Sequence, residues 1–329
     1  MGRLALRAAW QRDDLDIVAI NEPNGTAEVM ATLLEFDTIH GRFAFDCRHD
    51  GDEAITVAGT RIPYSRFDAP ADIPWTDLGV DLVLDCSGKF RTPESLEPHF
   101  AQGASRVVVS APVKGGPPNI VVGVNHEAFD LGTERVVTAA SCTTNCLAPV
   151  VRVLHDAIGI ERGCVTTIHD PTNTQVVVDR WHKDARRARA AQSNLIPTSS
   201  NSAYAVTMVI PELKGKLTSM AVRVPVLNAS ITDCAFHMAR DTTIDEVNGA
   251  LEAASRDGPL AGILGYETRP LVSSDYARDP HSGIVDALST DVIDGRMVKL
   301  IVWYDNEWGY ANRLVELAAM VAEAGATHA

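Results

Sequence analysis

Short apolar runs that alternate with helical stretches fill the first part of the chain, and they restrict its fold more than any other feature. Residues 16–20 (DIVAI), 81–85 (DLVLD), 106–110 (RVVVS), 120–123 and 136–138 read as strands. Residues 26–36 and 93–102 read as helices between them. This alternation implies α/β architecture with a doubly wound, mostly parallel, Rossmann-type sheet. Such folds open with a strand and a glycine-rich turn, GxGxxG, which brings the backbone against a pyrophosphate at a helix N-terminus. Here residues 1–10 already read as the body of a helix, with Gly2 in the place of the last glycine of that turn. The expectation is therefore a sheet that lacks its first strand. In the usual order that strand is central, so its loss exposes both neighbours. A misassigned start codon or a trimmed chain accounts for a clean gap of roughly ten residues, about one strand and its turn.

The texture changes after residue 160. Residues 164–169, 218–226, 230–239 and 298–304 read as longer alternating strands, with room for helices between them, as at 244–255. This pattern predicts a second, α+β domain on a largely antiparallel sheet. Residues 311–324 carry apolar Leu314, Leu317 and Val321 at helical spacing. The expected division is a dinucleotide-binding domain over 1–141, a catalytic domain over 142–305, and a C-terminal helix over 306–329 that returns to the first domain.

Charge and cysteine usage exclude several functions. A net charge of −14 argues against nucleic acid or an anionic membrane as the main partner. Positive charge is concentrated in one segment, Arg180, His182, Lys183, Arg186, Arg187 and Arg189, which reads either as an anion-handling loop or as a solvated or subunit-facing one. The six cysteines form no CxxC pair and are too sparse for a disulfide scaffold. No apolar run reaches the ~18 residues of a membrane span, and no signal-peptide pattern opens the chain; a cytoplasmic protein is expected. His and Cys lack ligand spacing, so no metal site is predicted.

Chemistry concentrates at residues 141–146 (SCTTNC), which follow the strand at 136–138. A helix then continues, with Leu147, Val150, Val151, Leu154 and Ile158 on one face and Gly159 as its stop. Cys142 is thus expected at a helix N-terminus, where the dipole and unpaired N–H groups favour a thiolate. A lone cysteine is more often a small core residue, but the Ser, Thr, Thr and Asn around it make a polar mouth that core packing would not need. A thiol nucleophile requires a base that is near in space. His169 ends the strand at 164–169 and precedes the turn signal Asp170-Pro171-Thr172-Asn173; His182 is the next candidate.

These segments resemble the glyceraldehyde-3-phosphate dehydrogenase family. SCTTNC, TTIH at 166–169, HKDARRARAA at 182–191, PELKGKL at 211–217 leading into Arg223, and WYDNEWGY at 303–310 match it in order and over essentially the whole chain. The resemblance implies an NAD domain, a catalytic domain and a homotetramer. It implies Cys142 as nucleophile and His169 as base, with glyceraldehyde 3-phosphate oxidised through a thioester that an inorganic oxyanion splits. For the substrate phosphate it implies Thr172 and Arg223; for the attacking anion it implies Ser141, Thr143, Arg187, Ser200 and Asn201. Cofactor contacts are implied at Gly2, Arg3, Glu22, Ser110, Asn306 and Tyr310, with Glu22 favouring NAD over NADP. Without the resemblance, Glu22 reads as a turn residue, and Trp303, Trp308 and Tyr310 read as core or interface aromatics.

Departures from the common glycolytic pattern refine this picture. Asn-Glu-Pro stands at 21–23 for Asn-Asp-Pro, Thr-Ser-Ser-Asn at 198–201 for Thr-Thr-Thr-Gly, and Asp-Pro-Thr at 170–172 for Ser-Tyr-Thr. With LLEFDTIHGRF at 33–43 and SSDYARD at 273–279, they resemble the arsenic-resistance branch found beside the ArsJ organoarsenical efflux permease. That resemblance implies arsenate as the attacking anion and export of 1-arseno-3-phosphoglycerate. The alternatives are a glycolytic enzyme, an erythrose-4-phosphate dehydrogenase, and an inactive or binding remnant without the dinucleotide turn.

Overall fold

The computed structural model describes residues 1–326, which fall into two compact units. Unit 1 comprises residues 1–120, 126–140 and the segment from Ala311 onward; unit 2 comprises residues 121–125 and 141–310.

Unit 1 begins with α1 (Gly2–Ala9), β1 (Ile20–Asn21) and α2 (Ala27–Glu35), followed by the two-residue hairpin strands β2 (Phe36–Asp37) and β3 (Gly41–Arg42). The meander β4 (Cys47–Asp50), β5 (Ala54–Val57) and β6 (Thr60–Ser65) follows. β1 runs parallel to β6, giving a four-stranded sheet in the order β1-β6-β5-β4. Thr26 caps α2 by accepting from the Val29 N–H, and Ala27, Ala31 and Leu34 on the buried face of α2 pack with Ile55, Val57 and Ile62 of the sheet. Arg7 is buried on α1, its guanidinium donating to the carbonyls of Leu34, Glu35 and Gly41, so that its own charge is not buried without partners.

The strand expected over 16–20 is shorter in the structure: only Ile20 and Asn21 pair, with Tyr64 and Ser65. Pro63 supplies the reason. Tyr64 donates its N–H toward β5, to Glu53, so the neighbouring residue should donate toward β1, and proline has no N–H to give.

The second sheet of unit 1 is parallel throughout, β7 (Leu82–Asp85), β8 (Arg106–Val109) and β9 (Val136–Thr138), with α3 (Pro93–Ala101) crossing from β7 to β8. Val83, Val107, Val109 and Leu96 form its core with Trp75. Residues 120–123, expected as a strand, form a turn. Their side chains are buried as a strand's would be, but the Asn125 side chain accepts from the Val121 N–H and Gly123 turns the chain at φ +81.

Unit 2 starts with α4 (Cys142–Ala157), stopped at Gly159 with φ +86. Then come β10 (Ile160–His169), β11 (Ile196–Ser199), α5 (Ser202–Val209), β12 (Leu217–Arg223), β13 (Ser230–Met238) and α6 (Ile244–Arg256). β14 (Leu264–Glu267), β15 (Gly283–Ile293) and β16 (Met297–Tyr304) follow, and α7 (Trp308–Ala326) belongs to unit 1 from Ala311 onward. The seven strands form one mixed, largely antiparallel sheet in the order β11-β12-β10-β13-β16-β15-β14. Alternation on β13 buries Ser230, Thr232, Cys234, Phe236 and Met238 on the sheet face where α4 packs. The same alternation turns Val165, Thr167 and His169 of β10 inward and leaves Cys164 and Ile168 exposed.

Candidate active site

The sheet of unit 2 determines which side chains meet. His169 is the last residue of β10, and parallel pairing with β12 sets it opposite Arg223, the last residue of that strand. Antiparallel pairing with β13 brings Ser230 to the same end of the sheet, because Ile168 pairs with Ile231. Ser230 in turn pairs with Tyr304, the last residue of β16. Four strand ends therefore converge, and the first turn of α4 joins them.

That turn is built from its cap. Ser141 accepts from the Thr144 N–H at 3.2 Å, and the Asn145 amide donates to the Ser141 carbonyl. The backbone N–H groups of Cys142 and Thr143 lie in the first turn, where no intrahelical acceptor exists. Ala140, just before the cap, takes φ +53, a conformation that costs a non-glycine residue about 1 kcal/mol or more and sets the approach of the chain to the helix.

Cys142 Sγ lies 3.8 Å from His169 Nε2 and 4.0 Å from Thr143 Oγ1. Thr143 Oγ1 is 2.9 Å from the hydroxyl of buried Tyr304, whose ring stands edge-on to the imidazole at 6.0 Å between centroids. On the other side of the ring, Nδ1 lies 2.6 Å from Asp170 Oδ1, 2.9 Å from the Asp170 carbonyl and 2.6 Å from Arg223 Nη1. Arginine only donates, so Nη1 and a protonated Nδ1 cannot bond each other. We assign the Nδ1 proton to the Asp170 carboxylate and the Nη1 hydrogen to the Asp170 carbonyl, 2.8 Å away. Arg223 Nε is buried without a hydrogen-bond partner among the described residues, a donor suited to an oxyanion.

The electrostatics follow from these contacts. Burial pushes the Cys142 thiol up, but the His169 hydrogen bond and charge, the Thr143 hydroxyl and Arg223 outweigh it and hold the thiol below its ordinary value. Burial opposes the charge on His169, yet the hydrogen bonds to Asp170 and Cys142 raise it to about 9. Both shifts run in the direction that favours a thiolate–imidazolium pair. Cys146, one turn later, is fully buried and its thiol is pushed well up by desolvation, so the two cysteines of SCTTNC are opposite in character.

Arg187 donates to Thr198 Oγ1 on β11 and lies 3.6 Å from Asp184. The Ser200 and Ser202 hydroxyls bond each other, and Asn201 is the N-cap residue of α5 without a side-chain cap bond. The Thr172 hydroxyl meets Thr174 and Gln175. Asn306 donates to Asp170 Oδ2 at 3.0 Å and accepts from Ser230 Oγ at 2.9 Å; Tyr310 is buried on α7. In unit 1, Arg3 pairs weakly with Asp37, Glu22 Oε1 accepts from the Asn24 backbone and side chain, and Ser110 follows β8, donating its N–H to the Asp85 carbonyl. The sequence alone does not mark Asp170 and Tyr304 as site residues. For Tyr304 a signal existed: Val298, Leu300, Val302 and Tyr304 share the buried face of β16, and a buried tyrosine hydroxyl calls for a polar partner. Among the described residues no group of His, Cys, Asp and Glu could hold a metal ion, and no helix is long and apolar enough to cross a membrane.

Both parts of the chain also match known proteins. The model of the glyceraldehyde 3-phosphate dehydrogenase NAD binding domain matches residues 1–93, and that of the C-terminal domain matches residues 141–306. The chain is 57% identical over 322 residues to glyceraldehyde-3-phosphate dehydrogenase 3 of Nostoc sp., covering 98% of this chain and 95% of the relative. It is 49% identical over 320 residues to glyceraldehyde-3-phosphate dehydrogenase of Cereibacter sphaeroides, covering 97% and 94%. With the Geobacillus stearothermophilus protein of the same name it shares 45% over 325 residues, covering 99% and 96%.

Proposed function

Because the chain belongs to the glyceraldehyde 3-phosphate dehydrogenase family, we propose that it oxidises glyceraldehyde 3-phosphate with NAD through a thioester on Cys142, which an inorganic oxyanion then releases. The observation that carries this reading is Cys142 Sγ at the start of α4, 3.8 Å from His169 Nε2.

NAD is the family's cofactor, and the donor set of unit 1 suits it. The N–H groups of Gly2, Arg3 and Leu4 open α1 without a side-chain cap, a ready site for a pyrophosphate. Glu22, fixed by Asn24 at the carboxyl end of β1, is the acidic group for a ribose hydroxyl. Ser110 follows the carboxyl end of parallel β8, where a cofactor would be met. Bound NAD supplies the hydride acceptor.

The residues divide the remaining work. The Cys142 thiolate attacks the aldehyde carbon, forming a C–S bond, and His169 delivers its proton to the new alkoxide, which the Cys142 and Thr143 N–H groups stabilise. As hydride leaves that carbon, neutral His169 takes the hydroxyl proton back and the thioester forms. An oxyanion oxygen then attacks the carbonyl, the C–S bond breaks, and Cys142 leaves as thiolate beside the imidazolium. Thr172 and Arg223 hold the substrate phosphate; Ser141, Thr143, Arg187, Ser200 and Asn201 hold the attacking anion.

We further propose that this anion is arsenate as well as phosphate, and that the product 1-arseno-3-phosphoglycerate passes to an organoarsenical efflux permease in an arsenic-resistance role. Ser200-Asn201, with an amide side chain next to a hydroxyl, supports a retuned anion site. The test is NADH formation with each anion: Ser200→Thr/Asn201→Gly is expected to lower kcat/KM for arsenate relative to phosphate. Equal ratios in both proteins would leave ordinary phosphorylating chemistry. A homotetramer is supported by apolar exposure in unit 2, where Trp181 is 88% and Val177 75% exposed; sedimentation at the mass of one 35.4 kDa chain would contradict it.

A further inference from the structure

The charge arrangement around His169 contains a group that the thioester chemistry does not require. Asp170 is 1% exposed. Consecutive strand residues point to opposite faces, so His169 and Asp170 would not ordinarily meet. Here Pro171 follows, restricting Asp170 to extended backbone, and β10 ends at His169, so that the carboxylate is free to return to the ring of its neighbour. Oδ1 reaches His169 Nδ1 at 2.6 Å and Oδ2 accepts from Asn306 at 3.0 Å. Ser230 Oγ bridges Asn306, at 2.9 Å, and the Asp170 N–H, at 3.4 Å. A carboxylate this buried is costly unless it is paired and hydrogen-bonded, and the imidazolium is its cationic partner.

We propose that Asp170 is a positioning residue for the dehydrogenase reaction, whose carboxylate holds the His169 ring with Nε2 on Cys142 and stabilises its protonated form. The inference rests on Cys142 and His169 acting as nucleophile and base. Four charges meet at the site, thiolate and carboxylate against imidazolium and Arg223, with Tyr304 kept neutral by burial and nearby anions. They cancel. Removing the carboxylate leaves Arg223 beside the imidazolium without compensation, which returns the proton to the thiol. The backbone carbonyl of residue 170, 2.9 Å from Nδ1, still orients the ring but carries no charge, so the loss falls mainly on the ion pair. This separates Asp170 from a merely structural acid.

The experiment compares parent and Asp170→Asn by the pH dependence of Cys142 alkylation with iodoacetamide and by steady-state NADH formation. In Asp170→Asn the alkylation midpoint is expected to rise by about one pH unit or more. kcat should fall at least about tenfold with KM within about twofold. A folded variant whose alkylation midpoint matches the parent's overturns the proposal, even if kcat falls. Should the variant not fold, the parent alone decides. A far-downfield Nδ1–H proton resonance that disappears in His169→Asn supports the carboxylate contact, and its absence from the parent overturns it. The underlying reading fails separately: it is lost if the parent's NADH formation persists in Cys142→Ser.

Discussion

Replacing Cys142 with serine is expected to lower kcat for NADH formation by about 10⁴-fold or more, with the fold intact. The site is arranged to stabilise a thiolate: the imidazole hydrogen bond, the Thr143 hydroxyl and Arg223 together overcome the desolvation that would keep the thiol protonated. A serine hydroxyl starts so far above this range that the same surroundings cannot ionise it at neutral pH. Its oxygen is also a poorer nucleophile and a poorer leaving group than sulfur, so both thioester formation and release suffer. The side chain is half-buried at the start of α4, and the cap is Ser141, not Cys142, so thermal unfolding should change little. NADH absorbance with glyceraldehyde 3-phosphate, NAD and phosphate reads the effect. A variant within tenfold of the parent contradicts covalent catalysis at this position.

His169→Asn should lower kcat by about 10²- to 10⁴-fold and also shift the reactivity of Cys142. In the parent, the depressed thiol pKa keeps the thiolate present as pH falls below the ordinary ~8.5, and His169 stays protonated until pH passes about 9. The pair's contribution to stability has matching signs. The His169 part is fully present below its unfolded pKa and lost as pH rises through about 9. The Cys142 part is present above its unfolded pKa and lost as pH falls through the depressed one. In the asparagine variant, desolvation is no longer opposed by the ring, and alkylation should appear only as pH rises through or above the ordinary thiol range. Alkaline pH therefore restores alkylation but not turnover, because the base that takes the hydroxyl proton is gone. Parallel recovery of both would show that His169 serves only to ionise the thiol.

The features legible in the sequence were those specified locally. Cys142 was identifiable at a helix start because Ser141 caps and Gly159 stops a helix with one continuous apolar face. His169 was identifiable because β10 ends in a turn signal. Arg223 was different: nothing near it in sequence marks it, and only parallel pairing of β10 with β12 brings it to His169, so resemblance alone supplied it. Asp170 reads as part of the turn, because period-two alternation gives no reason for adjacent residues to touch. The β4–β6 meander is not legible in the sequence, because its strands are four to six residues long and Pro63 interrupts the last. Residues 120–123 show the converse error: burial alone does not make a strand when a side-chain acceptor at Asn125 and a positive-φ glycine turn the chain.

The most direct test of the account is to trap the acyl-enzyme. Enzyme mixed with glyceraldehyde 3-phosphate and NAD, in the absence of phosphate and arsenate, should release about one NADH per site. Intact and peptide mass spectrometry should then find a 3-phosphoglyceroyl group on Cys142, and added phosphate should discharge it and restore turnover. A full NADH burst with no adduct on Cys142, or an adduct on another residue, would contradict the account.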